Sequence, residues 1–168
     1  NLYAITSKGL FESRDAGENW ELVRTLPEQA VTLAIAPSDH EVLYVGTASM
    51  GAYRSEDGGQ TWQAIGEGLG LTPGVALTVR SIEVDEQNPY LIYATPSYIL
   101  GTGQAHELPL GIYVSSDGGT SWQKLEGDSS NTGRVNTLIQ PPNQQGEVLL
   151  GTERGVFRAD WEGIAALD

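Results

Sequence analysis

Three short segments concentrate the residue types from which hydrolytic or metal chemistry is built. "SRDAGENW" (Ser13 to Trp20), "SEDGGQTW" (Ser55 to Trp62) and "SSDGGTSW" (Ser115 to Trp122) share the pattern Ser-x-Asp-x-Gly-x-x-Trp. Each sets a hydroxyl (Ser13, Ser55, Ser115) two residues before a carboxylate (Asp15, Asp57, Asp117), followed by a glycine (Gly17, Gly59, Gly119) and a tryptophan (Trp20, Trp62, Trp122). A carboxylate so placed can serve as a general acid or, with an Asp-x-Gly spacing, ligate calcium. Catalysis needs one site, whereas this acid recurs three times, and the segments lack the further oxygen ligands and terminal Glu of a calcium loop. The same residues are what a tight turn between two strands requires. The aspartate accepts backbone N–H bonds across the turn, the serine adds a hydroxyl bond, and the glycine supplies a positive φ. The tryptophan folds back over the hairpin, each ring covering ~150 to 250 Å². Because Ala16 precedes the glycine in the first segment, that position is expected to need no positive φ.

The elements that must position these turns follow from internal repetition. Each segment is preceded by Gly-x-[Tyr/Phe], in "GLFE", "GAYR" and "GIYV". Further upstream lie "LYAIT", "VLYVGT", "LIYAT" and "VLLGT", each an apolar strand ending in threonine. "VTLAIAPSDHE", "VRSIEVDEQNP" and "VNTLIQPPNQQ" read as a strand followed by a turn. One unit is therefore strand A, turn, strand B, loop, strand C, tight turn, strand D. The turn segments begin 42 and then 60 residues apart, and the 18 added residues fall in two places, six in the D–A loop and twelve in the B–C loop of the third unit. A fourth copy, "GVFRADWEG" (Gly155 to Gly163), keeps the strand but loses the serine and shifts the aspartate, with "WEGIAAL" the candidate for its D strand.

Four antiparallel strands repeated at roughly 40 to 50 residues signify β-propeller blades. The chain is expected to be all-β, with about three and a half to four blades: a partial blade over 1–30, blades over 31–78 and 79–134, and a partial blade over 135–168. Twenty-one glycines, eight prolines and seven tyrosines suit short strands joined by turns. The Ser-x-Asp-x-Gly-x-x-Trp segments and their flanks resemble the Asp-box, or BNR, repeat of sialidase, xyloglucanase, sortilin-type and photosystem-assembly-factor propellers. That resemblance implies a non-catalytic binding or assembly scaffold, or alternatively a sialidase- or xyloglucanase-like glycoside hydrolase of which this is a propeller portion. The Arg-Ile-Pro motif of sialidases is absent, and xyloglucanases draw their two acids from two facing propellers, more than this chain contains. The resemblance also implies an extracellular or periplasmic location.

Charge and composition narrow the partners. A net charge of −13 opposes binding to nucleic acid or anionic membranes, and the sequence has no apolar run of the ~20 residues that span a bilayer. Without cysteine, and with His40 and His106 isolated in sequence, no metal site and no cofactor are expected. The expected partners are a protein or a carbohydrate, together with other copies or the remainder of a longer chain to complete the propeller.

In a propeller the A–B and C–D turns share one face, and the B–C and D–A loops share the other. Both added stretches, Gly66 to Thr78 and Thr95 to Gly111, thus rise on one face as neighbouring walls. Arg80 and Arg134, read as beginning successive A strands, lie near this face, and Arg154 occupies the next B–C loop. With Tyr98, His106 and Glu107 they make a candidate polar pocket suited to a carboxylate or other acidic group, unless each arginine is paired with a neighbouring carboxylate.

Overall fold

The computed structural model describes residues 1–26, 28–101, 106–125, 133–142, 144 and 146–160, and the backbone of 163–166. Among them there is no helix, and the strands form four antiparallel sheets. The first contains β1 (Leu2–Thr6), β2 (Gly9–Ser13) and β3 (Glu21–Arg24). The second runs β4 (Ala30–Ile35), β5 (Leu43–Thr47), β6 (Ala52–Ser55) and β7 (Gln63–Ala64). The third contains β8 (Ala76–Val84), β9 (Ile92–Leu100), β10 (His106–Pro109), β11 (Tyr113–Ser115) and β12 (Gln123–Lys124). The fourth runs β13 (Val135–Ile139), β14 (Val148–Thr152), β15 (Gly155–Asp160) and β16 (Gly163–Ala166). This is the expected meander of propeller blades, and β16, paired with β15 from Asp160 opposite Gly163, supplies the fourth sheet's last strand within "WEGIAAL".

The sheets pack face to face because the B strands are apolar on both sides. Leu43–Thr47 is buried throughout, as a strand sandwiched between two neighbouring blades must be. Tyr44, Val79, Ile82 and Ile92 form a core between the second and third sheets, and Tyr93, Val114, Val148 and Leu150 form one between the third and fourth. Two tyrosines bridge these seams with their hydroxyls: Tyr44 donates to Pro89 O at 2.8 Å and Tyr93 to Gly146 O at 2.6 Å. Burial of the rings pushes both phenol pKa values up, so each remains a hydrogen-bond donor.

The three Ser-x-Asp-x-Gly-x-x-Trp turns have nearly the same bonding. In the second, Ser55 Oγ donates to Asp57 Oδ1 at 2.8 Å and accepts from Gly59 N at 2.8 Å, while Asp57 accepts from Thr61 N at 2.8 Å and Thr61 Oγ1 at 2.6 Å. Ser115, Asp117, Gly119 and Ser121 repeat this network, as do Ser13, Asp15, Gly17 and Asn19, with the Asn19 amide in place of the hydroxyl. Bonds from the side chain and backbone of Thr61 hold Asp57 down to about 2, and those from Ser121 do the same for Asp117. The carboxylates therefore stay ionised as turn acceptors, with no proton to give at neutral pH.

Two expectations about these turns need correction. The position before the glycine does have a positive φ, 59° at Ala16, 65° at Gly58 and 69° at Gly118, so the turn needs two successive left-handed residues. Alanine occupies the first at a cost of roughly 1–2 kcal/mol because that φ lies within the small left-handed well. The tryptophans also differ. Trp20 and Trp62 donate to their own turns, at Gly17 O and Gly59 O, but Trp122 crosses to the preceding sheet and donates to Ile65 O at 2.8 Å. Trp20 is 42% exposed, so it covers its hairpin only partly.

The turn glycine also has a role at the seam. A Cβ on Gly119 would stand 2.7 Å from Ile65 Cδ1, and one on Gly59 would overlap Leu10 of the first sheet. On Gly17 it would approach only Leu2, at 3.6 Å. At the two seams the glycine lets an aliphatic side chain of the preceding sheet press against the turn.

Candidate functional site

The two faces separate as the blade geometry requires. Gly58 N bonds to Glu41 O at 3.0 Å and Gly118 N to Tyr90 O at 2.9 Å, joining each C–D turn to the A–B turn of its own sheet. At the opposite end, Gly51 N bonds to Leu77 O at 2.8 Å and Leu77 N to Ser49 O at 2.9 Å, tying a B–C loop to the next A strand.

On that second face the twelve-residue addition is built as an extension of the sheet. β9 continues to Leu100 and returns as β10, with Glu107 opposite Ile99 and Leu108 opposite Tyr98. β8 begins at Ala76 and pairs with the same extension, Ala76 opposite Ile99 and Val79 opposite Pro96. Arg80 therefore lies mid-strand, where the β8–β9 register shifts between Val79 and Ile82, rather than at the strand's start. Such a bulge re-aims side chains. Arg134 sits immediately before β13 and Arg154 in the turn between β14 and β15.

Three of the six candidate residues come together. Arg80 Nε lies 3.2 and 3.3 Å from the two oxygens of Glu107, and Arg134 Nη1 lies 4.0 Å from Glu107 Oε2. Arg134 Nε also faces Glu153 Oε1 at 3.4 Å, an acid that the sequence pattern did not single out. The Glu107 side chain is 16% exposed, against 54% for Arg80 and 48% for Arg134, so the carboxylate lies beneath two solvated guanidinium groups. Around them Thr95, Ser97, Pro109, Gly111 and Val135 complete a narrow crevice between the third and fourth sheets, with about 10 Å³ of open volume. That is room for about one water molecule.

Of the other candidates, Tyr98 and His106 lie apart from this crevice, whereas Arg154 borders it at Gly133, where a Cβ would stand 3.6 Å from Arg154 Nε. Tyr98 packs against the core between the second and third sheets and donates to Gly70 O at 2.5 Å, with Thr72 Oγ1 3.0 Å away. It fastens the long D–A loop to the hairpin. His106 is exposed on β10 opposite Leu100. Arg154 is exposed, with its backbone N–H bonded to Thr152 Oγ1 at 3.1 Å. Among the described residues no group of three or more His, Cys, Asp or Glu could hold a metal ion, and no helix is long and apolar enough to cross a membrane.

Thr95 is a feature that sequence patterning did not single out. Thr47 and Thr152, the corresponding ends of other B strands, donate their hydroxyls to Gly51 O at 2.8 Å and Gly155 O at 3.0 Å, closing short B–C turns. In the third sheet the added hairpin separates Thr95 from the corresponding glycine, Gly111. Thr95 Oγ1 is buried without a hydrogen-bond partner, and Thr95 lines the crevice with Arg80, Glu107 and Arg134.

With four such sheets and three such turns in place, comparison with known families is decisive. The family model described as "Sortilin, neurotensin receptor 3" (Sortilin-Vps10) matches residues 8–154. The chain belongs to this family, a BNR or Asp-box propeller family. This sortilin-family chain is also 26% identical over 166 residues, 95% of its length, to a probable oligoxyloglucan-reducing end-specific xyloglucanase of Neosartorya fischeri. It is 30% identical over 163 residues, 94% of its length, to a xyloglucanase of Hypocrea jecorina. It spans 19% and 18% of those two proteins, about a fifth of their length. Among solved structures, an ancestral GH74 enzyme superposes over 96% of the chain and 21% of its own length, with a TM-score of 0.70 and 25% identity. YCF48 bound to D1 peptide shares the fold at a TM-score of 0.53 and 18% identity, over 84% of this chain and 41% of that one.

Proposed function

We propose that this chain is a propeller portion of a xyloglucan-directed glycoside hydrolase, and that within it this portion binds the glycan without cleaving it. Similarity to xyloglucanases along 94–95% of the chain carries the first half of this reading. The second half follows from the walled face. Hydrolysis of a glycosidic bond uses two carboxyl groups with separate acid and base or nucleophile roles. Here Glu107 and Glu153 both face Arg134, and Glu107 also faces Arg80. Each carboxylate is thus engaged with a guanidinium group, and the two are not set across a cleft from one another as an acid and base or nucleophile pair. Neutral sugar hydroxyls, in contrast, donate to such carboxylates and accept from the arginines. The acids that cleave would come from other blades, supplied by the remainder of a longer polypeptide or by other copies. With a polymeric substrate too large to cross a membrane, such an enzyme would work outside the cytoplasm.

The test compares two proteins. The 168-residue chain is titrated with xyloglucan oligosaccharides by calorimetry, and the longest natural polypeptide carrying it is assayed for reducing ends released from xyloglucan. Binding by the first and cleavage by the second are expected. Cleavage by the chain alone overturns the division of labour, and failure of both assays overturns the xyloglucan reading.

A further inference from the structure

We propose that the crevice beneath Arg80 and Arg134 is a subsite for one sugar hydroxyl, with the Thr95 hydroxyl as its specificity-determining contact. The inference rests on the glycan reading above and deepens it. Thr95 is 7% exposed, its Oγ1 has no partner in the protein, and a buried hydroxyl left unpaired is costly. Elsewhere in the chain the same threonine satisfies itself on a glycine carbonyl, so its unpaired state arises from the hairpin addition.

The crevice defines the chemistry of the occupant. Its open volume of about 10 Å³ has room for one oxygen-sized group and not for a sugar ring. Its two lining guanidinium groups already face carboxylates, with Glu107 between Arg80 and Arg134 and Glu153 on Arg134's other side. A neutral hydroxyl can donate to Glu107 or Thr95 and accept from Thr95 or a guanidinium group. A projecting ring hydroxyl or hydroxymethyl of a bound glycan gives Thr95 Oγ1 the partner that the protein does not supply.

The test uses Thr95→Val, which keeps the side-chain shape and removes the hydroxyl. Xyloglucan oligosaccharide affinity is expected to fall about two- to tenfold, the loss of one net hydrogen bond. The melting temperature should not fall, because no bond within the protein is removed. Unchanged affinity in the variant overturns the subsite while leaving the xyloglucan reading intact. A variant of lower thermal stability and unchanged affinity shows a merely structural threonine and overturns it as well. If the native chain binds no xyloglucan oligosaccharide, the functional reading fails and the subsite is decided by crystals soaked in glucose. A glucose hydroxyl on Thr95 Oγ1 that is lost in Thr95→Val sustains it, and its absence refutes it.

Discussion

Replacing Gly119 and Gly17 by alanine, one at a time, tests whether the turn glycine serves the seam between blades or only its own turn. The two positions have similar backbones, with φ of 90° and 97°, so a side chain costs about the same local strain at each, roughly 1–3 kcal/mol. They differ in surroundings. At Gly119 the new methyl would lie 2.7 Å from Ile65 Cδ1 and 2.8 Å from Ile65 Cβ, whereas at Gly17 the nearest atom is Leu2 Cδ1 at 3.6 Å. Ile65 is 4% exposed and cannot retreat as a unit, because its Cβ is as close as its terminal methyl. Overpacking of this kind costs about 1–3 kcal/mol. Gly119→Ala should therefore be the more damaging variant by ~2 kcal/mol, or about 4–8 °C in melting temperature for a chain of this size. Thermal unfolding followed by circular dichroism, with urea denaturation as a second measure, gives the difference directly. Equal losses at the two positions, or a larger one at Gly17, would refute the seam argument and leave only the turn.

Three further outcomes follow from the same geometry. Asp57 and Asp117 have folded-state pKa values of about 2 against an ordinary 3.8, so the stability they contribute is complete above about pH 4 and is lost as pH falls toward 2. Asp57→Asn should flatten that acid limb in a pH series of melting temperatures, while xyloglucan affinity at neutral pH stays unchanged. Tyr93→Phe removes the 2.6 Å bond to Gly146 O and should lower stability by about 1 kcal/mol in urea denaturation, without altering the far-ultraviolet spectrum. Arg54 reaches Gly118 O at 2.9 Å across the seam, pairs with Glu56 at 3.1 Å and lies 5.7 Å from the Tyr90 ring centre. Arg54→Lys loses the guanidinium geometry that lets one side chain make all three contacts, so denaturation should show a loss of ~1–2 kcal/mol.

Repetition made the architecture legible. Four copies of an apolar strand ending in threonine and three copies of one turn set the strand order, and the residue count located the additions in two loops of one face. The copies carried less information about contacts between blades. That Trp122 reaches Ile65 O, 57 residues earlier, while Trp62 stays on its own turn depends on how two sheets stack, which identical local sequences do not encode. The left-handed residue at Ala16 carries no glycine to signal it, because alanine tolerates that positive φ at modest cost.

The site is legible in part. The sequence pattern puts Arg80, Glu107 and Arg134 on one face, where they meet, but it does not show that the loop holding Tyr98 and adjoining Arg80 is a continuation of β8 and β9. Glu153 carries no sequence signal beyond its place beside Arg154. Thr95 does carry one, since its counterparts Thr47 and Thr152 sit four and three residues before a glycine and it sits sixteen before Gly111. That spacing is the sequence sign of a lost hydrogen bond as well as of a longer loop.

In the proposed division of labour the Asp-box turns maintain the fold, while recognition takes place at the opposite ends of the strands. Amide chemical shifts of the chain, recorded during titration with a xyloglucan oligosaccharide, test this most directly. Shifts should concentrate at residues 70–80, 95–100, 106–111 and 133–135, with residues 13–20, 55–62 and 115–122 unmoved. Shifts centred on the turn segments, with the hairpin face silent, would contradict it.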